Sequence, residues 1–234
     1  MTLPDLALQI AYGKVAWALV LVAVLSAWMP ALARRRWRAV AAGFVVLCAL
    51  PGGWSPAWWL TLVFQYPSGL MVGLALMALE RRRQGSAPAM LLPPAMALPL
   101  VLAGTVLYLD TFGVLSLGLY HGGFGPGAAL PGFLAIAACA FAIWRGHALQ
   151  PALALLTGLL LYALLRLPTG NLWDALLDPL LWMWALGSAA AAGVRQVAGA
   201  RLPAAQPVPV PVPVPVPAAE PAPVGTAGIE QLQR

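Results

Sequence analysis

The chain has 234 residues, of which 62% are hydrophobic and only 9% charged, with a formal net charge of +6; its mean hydropathy is +0.84. A soluble domain carries about a quarter charged residues, and this composition excludes one. The positive charge does not point to nucleic acid either, because the arginines gather in short stretches between apolar runs and form no basic face with interleaved aromatics.

Several runs approach the roughly 20 apolar residues that a spanning helix requires, and no period-2 alternation of a β-barrel is present. The expected fold is therefore all-α. It is a polytopic integral membrane bundle of about seven transmembrane helices over residues 1–202, lying in the lipid bilayer, with a disordered Pro/Val/Ala-rich tail over 203–234. The helices are expected at 15–33, 37–50, 57–80, 88–109, 128–144, 151–165 and 171–194.

The first run follows a weakly polar start and Lys14. Ala31-Leu32-Ala33 after it matches a signal-peptidase pattern. Cleavage there would turn Arg34, Arg35, Arg36 and Arg38 into an exported terminus, and the later loops would then oppose the positive-inside rule, so the run is read as a retained helix. Loops rich in Arg stay on the cytoplasmic side. The cluster Arg34–Arg38 therefore orients the chain with its amino terminus outside and its carboxyl terminus in the cytoplasm.

The second run, 37–50, spans about 21 Å at 1.5 Å per residue and stops at Pro51-Gly52-Gly53. Trp54, Trp58 and Trp59 follow at the expected interface. The third run, 57–80, is read as one long helix kinked at Pro67, with Gln65, Tyr66 and Ser68 beside the carbonyl that proline frees. Gly69 and Gly73 lie four apart and provide a small face for close helix packing. Arg81, Arg82 and Arg83 then return the chain to the cytoplasm, in agreement with the first cluster.

The fourth run carries Pro93, Pro94 and Pro99 and is expected to be irregular at its start. Residues 110–127 form a glycine-rich outer loop whose apolar part, 112–120, can lie flat at the interface. The fifth helix ends at Arg145-Gly146-His147, the sixth reaches Arg166, and the seventh begins near Asn171, with a run of small residues at 187–193 suited to tight packing. Of the thirteen basic residues only Lys14 and Arg166 fall on the outer side, each near enough to a helix end to snorkel. The Pro-Val alternation at 207–217 favours extended polyproline II, at about 3.1 Å per residue. It lacks the PxxP spacing read by SH3-type domains, and it is read as a solvated spacer or as a tail that contacts a cytoplasmic partner.

Two groups of residues are candidates for chemistry. The first is an outer-face polar cluster of Asp110, His121, Arg166, Asn171, Asp174 and Asp178, joined by Tyr108, Tyr120 and Trp173. Such groups near membrane depth are functional suspects, yet each also has a structural reading. Asp178-Pro179 is an N-cap followed by an N1 proline, Asn171 and Asp174 have capping-box spacing, and Arg166 complements a helix C-terminus. On a continuous seventh helix Asp174 and Asp178 share a face. The second group is the kink itself, Gln65, Tyr66 and Ser68, where a discontinuous helix builds a transport site if a second broken helix answers it. No such second break with polar residues is evident in the later half, and the kink is read as structural.

No HExxH, GxSxG or Walker sequence occurs, so no cofactor is expected. Cys48 and Cys139 lie in apolar runs without a neighbour that lowers a thiol pKa, and they are read as packing residues. The sparse chemistry favours a non-enzymatic accessory or scaffold component that packs against another membrane protein. The Ala, Leu, Arg and Pro bias matches a bacterial inner membrane. Two alternatives are carried: a small permease or channel-like transporter, and a membrane-embedded metal-dependent hydrolase built on Asp110, His121, Asp174 and Asp178.

Overall fold

Every regular element among the described residues is helical, and the order of the helices follows from where caps and prolines fall. A computed structural model describes residues 4–86 and 92–201. The tail expected over 203–234 lies outside them, as does the start of the fourth run at 88–91. Among the described residues there are ten α-helices: α1 (Leu6–Trp28), α2 (Arg34–Ala49), α3 (Pro56–Phe64), α4 (Gly69–Arg83), α5 (Pro94–Thr111), α6 (Leu119–Gly122), α7 (Ala129–Trp144), α8 (Leu149–Leu165), α9 (Leu172–Leu176) and α10 (Pro179–Arg201). Three segments among those residues are long and apolar enough to cross a membrane: Leu6–Trp28, Pro94–Thr111 and Pro126–Trp144. Leu149–Leu165 is a shorter apolar helix.

α1 starts well before residue 15, because Asp5 accepts from the amide of Ala7 and caps it. It ends at Trp28, ahead of Pro30, and not at residue 33. Lys14 is consequently inside the helix and not at its end. Its ammonium reaches the carbonyl of Ala49 at 3.1 Å, so a cation closes the C-terminus of α2.

The single kinked helix expected over 57–80 is two helices. α3 stops at Phe64, Gln65 turns to φ 62°, and α4 begins afresh after Ser68, whose hydroxyl caps the Met71 amide at 3.1 Å. A non-glycine residue with positive φ costs of order 1–3 kcal/mol, and the chain around it must hold it there. α1 does so: Trp17 donates to the Gln65 carbonyl at 3.1 Å, and Tyr12 donates to the Pro67 carbonyl at 2.7 Å. The ring of Tyr66 occupies the space beside Gly13, where a Cβ would lie 2.7 Å from it.

The helix expected over 171–194 is also interrupted. α9 is closed by Leu177, in extended conformation, and α10 restarts at Pro179. Asp174 and Asp178 therefore sit on different elements and share no helix face.

α4 and α8 pack through small residues on both sides. A Cβ on Gly69 would meet the Cα of Gly158 at 2.6 Å, and one on Gly73 would meet the Cα of Ala154 at 2.7 Å. Such backbone approach is what Gly and Ala four apart permit between membrane helices. The small run at 187–193 behaves differently. Gly187 and Gly193 have nothing within 4 Å of a built Cβ, so the tight packing expected there is absent within the chain. Only Ser188 on that stretch is fully buried, and it accepts from the Leu92 amide at 3.0 Å to hold the start of α5.

The two arginine clusters meet at one end of the bundle. Arg82 donates to the carbonyls of Met29, Pro30 and Leu32, the last at 2.7 Å, and its guanidinium lies 6.0 Å from the ring centre of Trp37. Trp37 in turn donates to Ser26 at 2.8 Å. Gly73→Val is expected to destabilise the protein by about 1–3 kcal/mol, since the backbone of Ala154 cannot retreat. Thermal unfolding in detergent measures it, and an unchanged midpoint would contradict the α4–α8 seam.

Candidate functional site

The opposite end of the bundle carries a cleft of about 230 Å³. It lies where the two interruptions meet, with Gln65 and Tyr66 from the α3–α4 break and Asp174 and Asp178 from α9 and the α9–α10 break. Two members of each candidate group read from the sequence thus share one cleft.

Asp178 is its base. The residue is 6% exposed, and one carboxylate oxygen accepts from the Leu181 amide at 2.8 Å, the N-cap bond anticipated from the Asp-Pro pair. The other oxygen accepts from the amide of Ser68 at 2.7 Å, 110 residues away. One side chain therefore serves the free donors at the beginnings of both α10 and α4.

Asp174 does not complete a capping box. Asn171 caps α9 through the Trp173 amide at 2.9 Å, while Asp174 turns away to accept from the Thr169 hydroxyl and, with its two oxygens each 3.1 Å away, to share the proton of the Tyr120 hydroxyl. The aspartate side chain is too short to return to the Asn171 amide, which takes Thr169 as its partner instead. Burial, and then the nearby charge of Asp178, push the Asp174 carboxyl above its usual range, against the hydrogen bonds from Thr169 and Tyr120. Burial and the same carboxylate push the Tyr120 phenol up to about 12, so it stays a donor at neutral pH.

The remaining members of the outer cluster hold the frame. Asp110 accepts from the amides of Leu117, Gly118 and Tyr120, and this folds the loop after α5 back onto the helix. Asn171 is fully buried and donates to the Tyr120 carbonyl at 3.1 Å, tying α9 to α6. Arg166 lies with its guanidinium 4.8 Å from the ring centre of Tyr162, beside a separate depression. His121 is exposed on α6 and does not line the cleft. Among the described residues no three of His, Cys, Asp and Glu come together as a metal site. The convergence that a metal-dependent hydrolase on Asp110, His121, Asp174 and Asp178 requires is not formed.

Sequence reading missed Tyr12, Trp17 and Thr169. Thr169 precedes Asp174 by five residues across a turn and was within reach of local reasoning. Tyr12 and Trp17 act on a break some 50 residues away, and nothing local marks them. Comparison with protein-family models, with curated proteins and with solved structures finds no match for this chain.

Asp178→Ala is expected to cost about 2–4 kcal/mol, because it orphans two buried amides at once. Chemical unfolding checks this, and a loss under about 1 kcal/mol would mean water replaces the carboxylate. For Asp174 the folded carboxyl binds its proton more readily than the unfolded one. Its contribution to stability is complete below the unfolded value near 3.9 and is lost as pH rises through the raised folded value. The melting temperature of the wild type relative to D174N should therefore fall as pH rises across that window. A pH-independent difference would show that the Asp174 charge is well solvated.

Proposed function

We propose that the chain is a seven-span, non-enzymatic accessory protein of a bacterial inner membrane that packs against another membrane protein. In this reading α3 with α4 makes one crossing, α9 and α6 lie at the outer surface, and the tail at 203–234 extends into the cytoplasm. The shared end of the two arginine clusters supports that orientation, because Arg82 sits on the loop that precedes Arg34.

The observation that carries the association is the uncovered small face of α10. Ala190, Gly193, Val194 and Val197 border a shallow groove, and Gly187 continues it one turn earlier with open space beside it. The chain uses the same kind of surface internally, between α4 and α8, to bring two backbones together. Small residues drive helix association in a membrane by close packing, since lipid tails offer no hydrophobic incentive.

A permease is the second reading, favoured by one observation: two interrupted helices, α3–α4 and α9–α10, meet at a polar cleft, the arrangement that midplane transport sites use.

Affinity purification from native membranes in mild detergent tests the first reading. The wild type should retain a stoichiometric membrane partner, and a Gly187→Leu/Gly193→Leu double variant should lose it while melting as the wild type does. Deleting 203–234 should weaken retention if the tail also touches the partner. A wild type that purifies alone, or a double variant that keeps the partner, would overturn the reading.

A further inference from the structure

We infer that the outer cleft binds a small organic cation carrying a primary or quaternary ammonium group. This goes beyond the accessory reading and does not depend on the α10 face. Charge is the first ground. Asp174 and Asp178 both border the cleft, no Lys, Arg or His among the described residues lines it, and the ion pair found among those residues, Glu80 with Arg83, lies at the other end of the bundle. Two carboxylates in a half-buried site with no counter-cation make a negative potential that an entering cation neutralises.

The walls are the second ground. Tyr66, Tyr108, Tyr120 and Trp173 surround the carboxylates, and aromatic faces attract ammonium groups through the ring quadrupole. Their rings are fixed by separate anchors. Tyr66 rests on Gly13, Tyr108 meets Trp182 edge-on at 5.3 Å, Tyr120 meets Phe124 edge-on at 5.9 Å, and Trp173 donates to the Leu119 carbonyl at 2.7 Å. A preorganised cage of this kind forgoes little side-chain entropy when a ligand enters.

Unused polar groups are the third ground. The side-chain amide of Gln65 and the Tyr66 and Tyr108 hydroxyls border the cleft and make no hydrogen bond to any described residue. They are free to accept from an ammonium or from a ligand hydroxyl. Size and chemistry then narrow the ligand. About 230 Å³ is below the roughly 300–1,000 Å³ of sites for drug-sized molecules. Val63, Leu107 and Leu177 in the lining suit methyl or methylene groups.

Isothermal titration calorimetry on the full chain in lipid nanodiscs tests the inference, with tetramethylammonium chloride and propylammonium chloride as probes. Sodium chloride at equal ionic strength and tert-butanol, the neutral isostere of tetramethylammonium, serve as controls. At least one ammonium should bind saturably, and neither control should. D174N should weaken binding at least about tenfold, and Trp173→Leu should weaken it by about three- to tenfold through the lost aromatic face. Gln65→Ala changes an exposed side chain outside every hydrogen bond of the fold; it should retain the wild-type melting temperature and bind about threefold more weakly. Absence of saturable binding by both ammonium probes overturns the inference. So does equal binding of sodium or tert-butanol, or unchanged affinity in those variants that melt as the wild type does.

Discussion

The carboxylate of Asp178 is the constraint on which the cleft-bearing half of the molecule depends. An interrupted helix exposes backbone donors at each new start, and within a membrane protein those donors have no water to turn to. Here two interruptions are placed side by side so that one aspartate satisfies a donor at each. The α3–α4 break would otherwise leave the Ser68 amide buried and unmet. Tyr12 and Trp17 of α1 meet the carbonyls on the other side of the same break, so both halves of the exposed peptide chemistry are answered by side chains from distant elements. The cleft is the space left between these answers.

This arrangement explains why the chain can be so poor in charge and still build a polar site. Asp110, Asn171 and Thr169 each bond to backbone or to a neighbouring side chain, and together they fold the outer connections into a fixed collar. Burial costs are met locally, and no buried side-chain polar atom among the described residues lacks a partner. The half of the bundle that carries the arginines needs none of this. Its helices run unbroken, Arg34, Arg35, Arg36 and Arg38 are exposed, and the first three sit in the first turn of α2, where they oppose the helix dipole. Helix stability gives no reason for arginines in that position, whereas orientation in a membrane does.

Local signals in the sequence carry part of the fold, whereas contacts across long sequence separation leave no local mark. The all-helical class follows from apolar run lengths, the α4–α8 seam from Gly69 and Gly73 at a spacing of four, and the Asp178 N-cap from the proline after it. Hydropathy runs continuously across the two helix breaks because it does not register a backbone that turns without becoming polar. Phe64-Gln65-Tyr66 and Leu176-Leu177 remain apolar enough to pass as helix. Lys14 reads as a helix end because its partner, the Ala49 carbonyl, is 35 residues away. For the same reason the sequence shows two separate groups where Gln65, Tyr66, Asp174 and Asp178 share one cleft: the bond that unites the two breaks joins residues 68 and 178.

The contact between Arg82 and the loop before Arg34 also orders events in time. Chains emerge amino terminus first, so α1 and α2 are made well before α4. Until α4 arrives, the carbonyls of Met29, Pro30 and Leu32 have no guanidinium to bind, and the α1–α2 hairpin is held by its helix contacts and by Trp37 on Ser26. Arrival of Arg82 closes that loop from below. The first hairpin is therefore a provisional assembly, and α4, the fourth helix in the chain, is the one that seals it.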